Sequence, residues 1–295
     1  MITLNCLSDY KSNKKSAVTI GKYDGVHKAH QMLINKTVEY AKINGLQSVV
    51  CSFDFSSTGI LTWKEKEEML ESMGVDILIR CPFDTDLITT PAEKFIEDLL
   101  ETKLGTSFLC IGYDFRFGYG RTGDENMLRD KGHFELEVLP KQYEGDSVIS
   151  STSVRAYLDE GRVDEASKML GYEYFMTGTV VHGRQLGRTI GVPTANIIPD
   201  RDKYLPLYGV YTSKTIFDNI EHEGITNIGV KPTVDGTFPG SETYLFDIDE
   251  DMYGQYQKTK LYSFIRKERK FDSVEDLKKQ LDIDINIGKS CFDNC

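Results

Sequence analysis

Gly21-Lys22-Tyr23-Asp24-Gly25-Val26-His27-Lys28-Ala29-His30 follows the apolar, β-branched run Ala17-Val18-Thr19-Ile20. It precedes Gln31 to Asn44, where Leu33, Ile34, Val38 and Ala41 recur at helical spacing until Gly45 stops the run. The stretch reads as a turn from a buried strand into a helix. Two glycines and an Asp let the chain bend sharply and bring backbone N–H groups close to a ligand. His27 and His30 fall three apart near the helix N-terminus, whose partial positive charge and unpaired donors suit a phosphate. Two imidazoles there can donate hydrogen bonds to phosphoryl oxygens as negative charge builds on them. A metal pair is the weaker reading, because no Glu follows the first His and no Cys or third His lies near.

Outward from the turn, strands and helices alternate. Ser48–Phe53, Val75–Ile79, Ser107–Ile111 and Glu135–Leu139 read as strands; Trp63–Met73 and Thr90–Leu104 read as helices. That alternation predicts a parallel, doubly wound sheet with its ligand at the carboxyl ends of the strands, where the two histidines fall. Helices are expected around Ser153–Glu160 and Asp164–Leu170. Beyond Tyr172 the texture changes to six short β-rich runs between Gly, Pro and Asn-Asp turns, then a closing helix from Ser273 to Leu281. Six strands without long helices between them predict a small antiparallel barrel. The expected domains are residues 1–172 and 173–295.

The 295 residues suit two domains, and 40% hydrophobic with 27% charged residues is ordinary for a soluble globular chain. The net charge of −11 is spread over both parts without a basic patch, which argues against nucleic acid as a partner. Six cysteines, none with zinc spacing to a second pair, read as free thiols in a reducing cytoplasm. No apolar run approaches the ~18 residues that would span a membrane, and the N-terminus has no secretory pattern. The expectation is a cytoplasmic protein acting on small molecules, as a monomer or weak homo-oligomer.

Three further stretches carry chemistry. Gly112-Tyr113-Asp114-Phe115-Arg116-Phe117-Gly118 leads into a literal Gly-x-Gly-x-x-Gly from Gly118 to Gly123, but Gly118 lies well past the strand end, which argues against a dinucleotide fingerprint. Ser150-Ser151-Thr152-Ser153-Val154-Arg155 offers hydroxyls, helix-end N–H groups and a guanidinium fork for a phosphate. A plain helix cap is the alternative. Gly183-Arg184-Gln185-Leu186-Gly187-Arg188 can wrap a polyphosphate, and Pro193-Thr194-Ala195-Asn196 places Thr194 and Asn196 on one side of a strand, where hydroxyl and amide oxygens suit Mg²⁺.

The opening turn resembles the HxGH signature of nucleotidylyltransferases. More narrowly, Gly-x-Tyr-Asp-Gly-Val-His-x-x-His-Gln is similar to the first motif of bacterial bifunctional riboflavin kinase/FMN adenylyltransferases. Gly112 to Gly118 and Ile149 to Arg155 resemble that family's second and third motifs. Gly183 to Asn196, Asn227 to Thr233, Ser241 to Asp247 and Phe264 to Phe271 resemble its riboflavin kinase signature. Ala29 stands where the family has Gly, and Asp54-Phe55-Ser56 where it has Pro-His-Pro. The resemblance implies a Rossmann-like nucleotidylyltransferase domain followed by a six-stranded kinase barrel, with ATP, Mg²⁺, riboflavin, FMN and FAD as ligands. It implies Glu242, His27, His30 and Arg155 as catalytic. It implies Gly21, Asp24, Gly25, Asp114, Ser151, Thr152, Gly183, Arg184, Gly187, Arg188, Pro193 and Arg266 as binding residues, with Thr194 and Asn196 on the metal. A kinase with a decayed first domain, or a flavin-binding regulator, stands as the alternative.

Overall fold

A computed structural model describes residues 1–11, 14–54, 58–82, 85–182, 192–217, 219–233, 236–246, 248 and 252–293. The first unit contains β1 (Ile2–Leu4), β2 (Ser16–Gly21), α1 (Lys28–Asn44), β3 (Gln47–Asp54), α2 (Trp63–Ser72) and β4 (Ile77–Pro82). It continues with α3 (Thr85–Thr89), α4 (Ala92–Lys94), β5 (Thr106–Gly112), α5 (Glu125–Lys131), β6 (Glu135–Leu139) and the hairpin β7 (Tyr143–Glu144) and β8 (Ser147–Val148). The main sheet has the order β1-β4-β3-β2-β5-β6, with every pairing parallel. Its central strands carry apolar cores because helices cover such sheets: Val18, Val49, Ile79 and Leu109 are fully buried.

Turn and helix ends follow their local chemistry. Gly45 closes α1 in the left-handed conformation at φ 64°. Thr62 and Glu65 form a capping box ahead of α2. α4 has Pro91 at its cap position without a side-chain cap bond, and its axis continues as π-helical turns through Phe95–Lys103. Phe95, Ile96 and Leu100 on those turns point into the core.

The second unit begins with α6 (Ser151–Asp159) and α7 (Val163–Leu170). It continues with β9 (Phe175–Val181), β10 (Ala195–Ile197), β11 (Gly209–Phe217), β12 (Ile220–Thr233), β13 (Gly236–Leu245), β14 (Tyr256–Lys267) and α8 (Val274–Asp293). The six strands close into a barrel in the order β10-β13-β12-β11-β14-β9, antiparallel throughout. Hydroxyls line part of its interior: Thr243 and Thr226 lie 2.8 Å apart, and Thr226 donates to Ser213 at 2.8 Å. β12 and β13 pair from Gly224↔Leu245 to Thr233↔Gly236, longer than their composition suggests, because the Pro and Gly residues there are accommodated within the ladder. The closing helix also exceeds its expected end at Leu281. Asp284 is buried against Arg266, and Gly288 sits flush on Ile225, so polar and flexible residues that read as a stop are held by packing.

By compactness the chain divides between Ser150 and Ser151. The composition-based boundary lies at Tyr172, so α6 and α7 fall with the barrel. Their links to it are specific: Leu207 N–H donates to the Leu158 carbonyl at 2.8 Å, and Tyr204 OH donates to Asp159 at 2.6 Å.

Candidate active sites

The turn between β2 and α1 is built under backbone strain. Tyr23 and Val26 have φ of 47° and 39°, a region costly for side chains with a Cβ and most so for a β-branched one. Such conformations persist only where the surroundings enforce them, at about 1–3 kcal/mol each. Tyr23 and Val26 are fully buried. The Val26 carbonyl accepts from Gln31 Nε2 at 2.8 Å, and Asp24 Oδ1 accepts the Ile60 N–H at 2.7 Å. Gly25 has φ 76°, and a Cβ there would press on Ile60 at 3.0 Å. Asp24 and Gly25, expected to bind ligand, thus fix the turn onto the segment around Ile60.

His27 is the N-cap of α1, and its Nδ1 accepts the His30 backbone N–H at 3.4 Å. A neutral His27 therefore carries its proton on Nε2, which leaves that N–H as the ligand donor. The two rings stack with centroids 3.6 Å apart, and the Tyr23 ring meets His30 edge-on at 5.1 Å. Burial pushes His27 down to about 4. Burial, then His27 and Lys66, holds His30 well below the usual histidine range. Lys66 belongs to this cluster: its Nζ donates to the Lys22 carbonyl at 3.1 Å and to Ser52 at 3.0 Å. Both imidazoles are neutral at pH 7, so they act as hydrogen-bond donors and not as cations.

The depressed His27 value has a consequence for stability. The unfolded chain takes up the proton near pH 6.5 and the folded chain only near 4, so stability is complete above pH 6.5 and falls as the pH drops toward 4. Urea-unfolding stability of the wild type is expected to weaken across that window, and His27→Asn should make the slope shallower, with the buried His30 supplying the remainder. An unchanged slope in the variant would remove His27 as its source.

On the same unit, the chain after β5 turns tightly, with Tyr113 N–H on the Leu139 carbonyl at 3.0 Å and Phe115 N–H on Gly112 at 3.1 Å. Asp114 stands exposed at its tip. The loop is pinned by Phe117, which is buried, pairs with Gly123 and meets Phe95 at 5.0 Å. A Cβ on Gly118, at φ 72°, would lie 2.6 Å from the Ala92 Cα. This Gly-rich stretch serves close packing and opens no dinucleotide helix.

In the second unit, Ser151, Thr152 and Arg155 lie on the first turns of α6. The Arg155 guanidinium sits over the Tyr204 ring at 4.2 Å. Gly183, Arg184, Gly187 and Arg188 lie outside the described residues. Val192 is buried, Pro193 and Thr194 are half-buried, and β10 begins at the next residue.

The barrel register then assembles a row. Asn196 on β10 lies directly across from Glu242 on β13, and Glu242 directly across from Asn227 on β12. Paired residues project from the same face of a sheet. The row continues through Val210 on β11 to Arg266 on β14, and α8 packs across this face on β12 and β11, with Gly288 against Ile225 and Asp284 on Arg266. It is therefore the outer face of the barrel. Asn196 Nδ2 reaches back to the Thr194 carbonyl at 3.4 Å, which leaves its amide oxygen as the acceptor toward a cation. Arg266 is committed elsewhere: Nε lies 3.0 Å from both oxygens of Asp284 and Nη2 lies 2.7 Å from Oδ2. Lys66 and Asp284 lie in no sequence motif, and Asn227 opens the Asn227–Thr233 motif without a role assigned to it. Register, burial and pairing reveal them.

Two protein-family models match the chain: FAD synthetase over residues 9–153 and riboflavin kinase over residues 170–292. The bifunctional riboflavin kinase/FMN adenylyltransferase of Buchnera aphidicola subsp. Schizaphis graminum is 36% identical over 300 residues, 96% of each chain. The Escherichia coli (strain K12) protein of the same name is 36% identical over 93% of this chain and 92% of its own. A solved structure titled as a macrolide-efflux protein from Streptococcus pneumoniae matches with a TM-score of 0.86 and 29% identity, over 96% of both chains. Among the described residues no helix is long and apolar enough to cross a membrane. The strained His27–His30 turn on a parallel sheet, the Asn196–Glu242 row on a closed barrel and relatives over nearly the whole length lead to one assignment: the chain belongs to the bifunctional riboflavin kinase/FMN adenylyltransferase family.

Proposed function

We propose that this chain makes both flavin cofactors: it phosphorylates riboflavin to FMN with ATP, then adenylylates FMN to FAD and releases pyrophosphate. The observation that carries the reading is the placement of Glu242 opposite Asn196, one residue past Thr194's neighbour, on the outer face of a closed barrel. In the kinase step Glu242 takes the proton of the riboflavin 5′-hydroxyl as its oxygen bonds the γ-phosphorus. The bond from that phosphorus to the β–γ bridging oxygen breaks, and ADP leaves.

Mg²⁺ fits this site as an ion brought with the nucleotide. The donors of Thr194 and Asn196 are hard oxygens, and among the described residues no group of three or more His, Cys, Asp or Glu could cage a metal. Thr194 and Asn196 would hold the ion, which supplies charge neutralisation on the phosphates. Arg184 and Arg188, with Gly183, Gly187 and Pro193, are assigned to the polyphosphate by resemblance.

In the adenylyl step a phosphate oxygen of FMN bonds the α-phosphorus of a second ATP, and the bond to the α–β bridging oxygen breaks. The neutral His27 and His30 donate to the oxygens that gain charge, with the α1 N-terminus behind them. Ser151, Thr152 and Arg155 are assigned to the triphosphate and Asp114 to the flavin nucleotide, again by resemblance. Residues 1–172 are assigned to adenylyl transfer and 173–295 to the kinase, since α6 carries a motif of the first activity although it packs with the second unit. Buried free Cys51, Cys81 and Cys110 suit a reducing cytoplasm.

Purified protein given riboflavin and Mg-ATP should yield FMN and FAD, followed separately by chromatography. Unchanged riboflavin sinks the kinase assignment, and FMN without FAD confines activity to the barrel, the outcome Ala29 and Asp54-Phe55-Ser56 would favour. His30→Ala should lower FMN-to-FAD conversion by ~10²-fold, the scale of losing a donor to developing charge, and leave riboflavin phosphorylation intact. Equal loss of both activities would instead mark a folding defect.

A further inference from the structure

The outer face of the barrel holds a buried acceptor that no donor among the described residues satisfies. Oδ1 of Asn227 is closed off from solvent and accepts no hydrogen bond. Its place is specific, directly across from Glu242, which is itself across from Asn196. A buried carbonyl oxygen without a donor is destabilising, and an apolar side chain of similar size would avoid that penalty. An amide kept there calls for a donor that arrives from outside the chain. On the kinase reading, the groups brought to this row would be a riboflavin with a polyhydroxylated ribityl chain and a hydrated cation on a nucleotide, and both would bring O–H donors.

We propose that Asn227 is a ligand-binding residue of the kinase site, its Oδ1 receiving an O–H donor from a ribityl hydroxyl of riboflavin or from water on the nucleotide-borne Mg²⁺. The inference rests on the kinase reading of Glu242 and Asn196. It explains the orphaned oxygen as a site completed only on binding. It also gives the row three functions in sequence: Asn196 toward the metal, Glu242 toward the reacting hydroxyl, and Asn227 toward the donor beside it.

The test is Asn227→Leu in the full chain, a near-isosteric change that removes the amide. The ligand-free thermal midpoint should hold or rise, because an unsatisfied group has been removed. Riboflavin affinity, read by flavin fluorescence, should weaken about ten-fold, the scale of one neutral hydrogen bond. Lumiflavin, the same ring system without the ribityl chain, should bind as to wild type. A loss in Mg-ADP affinity by calorimetry, with riboflavin unchanged, would identify metal-bound water as the donor.

Affinities for riboflavin and Mg-ADP both unchanged would overturn the inference. So would riboflavin and lumiflavin weakening together, or a fall in the ligand-free midpoint with affinities intact, which would mark an internal structural water. If the leucine variant does not fold, Asn227→Ala read by the same riboflavin-to-lumiflavin ratio decides. A wild type that phosphorylates riboflavin while the variants show no difference sinks this inference alone. A wild type that binds neither riboflavin nor Mg-ADP sinks the kinase reading with it.

Discussion

Glu242→Gln is expected to slow the conversion of riboflavin to FMN by roughly 10²–10⁴-fold, the range for loss of a general base, while FMN supplied directly is still converted to FAD. The substitution keeps the side-chain shape and its place opposite Asn196 and Asn227. It removes only the ability to take the proton from the attacking hydroxyl. The two conversions are measured in one preparation, so the second serves as the control for folding. FMN formation at the wild-type rate would place the base elsewhere. Because Glu242 lies within a ladder paired on both sides, a shift of the strand is not an available escape: moving β13 by one residue would turn Glu242 inward and Thr243 outward.

Asp284→Ala is expected to lower the stability of the second unit by about 3 kcal/mol, the lower end for breaking a buried ion pair. The lower end applies because the Arg266 side chain keeps 20% of its exposure while Asp284 has none. The carboxylate accepts from Arg266 Nε and Nη2 and from Gln280 Nε2 at 2.7 Å, so its removal strands three donors. Urea unfolding followed by circular dichroism gives the shift directly. The pair Arg266→Met with Asp284→Leu should lose much less, since it leaves no uncompensated charge. A single variant as stable as wild type would mean that α8 is held by its apolar contacts alone. The pairing also bears on Arg266 as a ligand-binding residue, since the Nε–Nη2 edge that would face a phosphate is turned onto Asp284.

The fold class was legible because each unit has its own period. Apolar β-branched runs such as Ala17–Ile20, spaced by amphipathic helices, lead to the parallel sheet, and short strands between turn residues lead to the barrel. The ends were less legible where tertiary contacts overrule local signals. β12 and β13 extend through Pro232 and Pro239, and α8 passes its acidic stretch because Arg266 neutralises Asp284. His27, His30, Thr194, Asn196 and Glu242 were legible as members of motifs. Their mutual placement was not, since pairing Asn196 with Glu242 requires a register that no local pattern encodes. Lys66 lies in no motif, and Asn227 opens the Asn227–Thr233 motif without a role of its own attached to it. A lysine in an amphipathic helix and an asparagine in a strand become informative only through burial and cross-strand neighbours.

The closure of the barrel between β9 and β14 sets an order of assembly. Phe175–Thr179 pairs with Tyr256–Lys260, across some of the longest sequence separations in that unit. Contacts so distant form late, because the intervening loop must be ordered before they repay its entropy. The parallel sheet, complete by Leu139, can form while the ribosome is still making the barrel. Until β14 emerges, β9 has a single short partner in β10, with Asn196↔Val181 and Ile197↔Val180. A nascent chain stalled before residue 256 would therefore hold a folded adenylyltransferase sheet and an open, unpaired stretch at Phe175–Thr179. That makes translation through β14 the interval in which a chaperone, or a second copy, would meet this protein at its most adhesive.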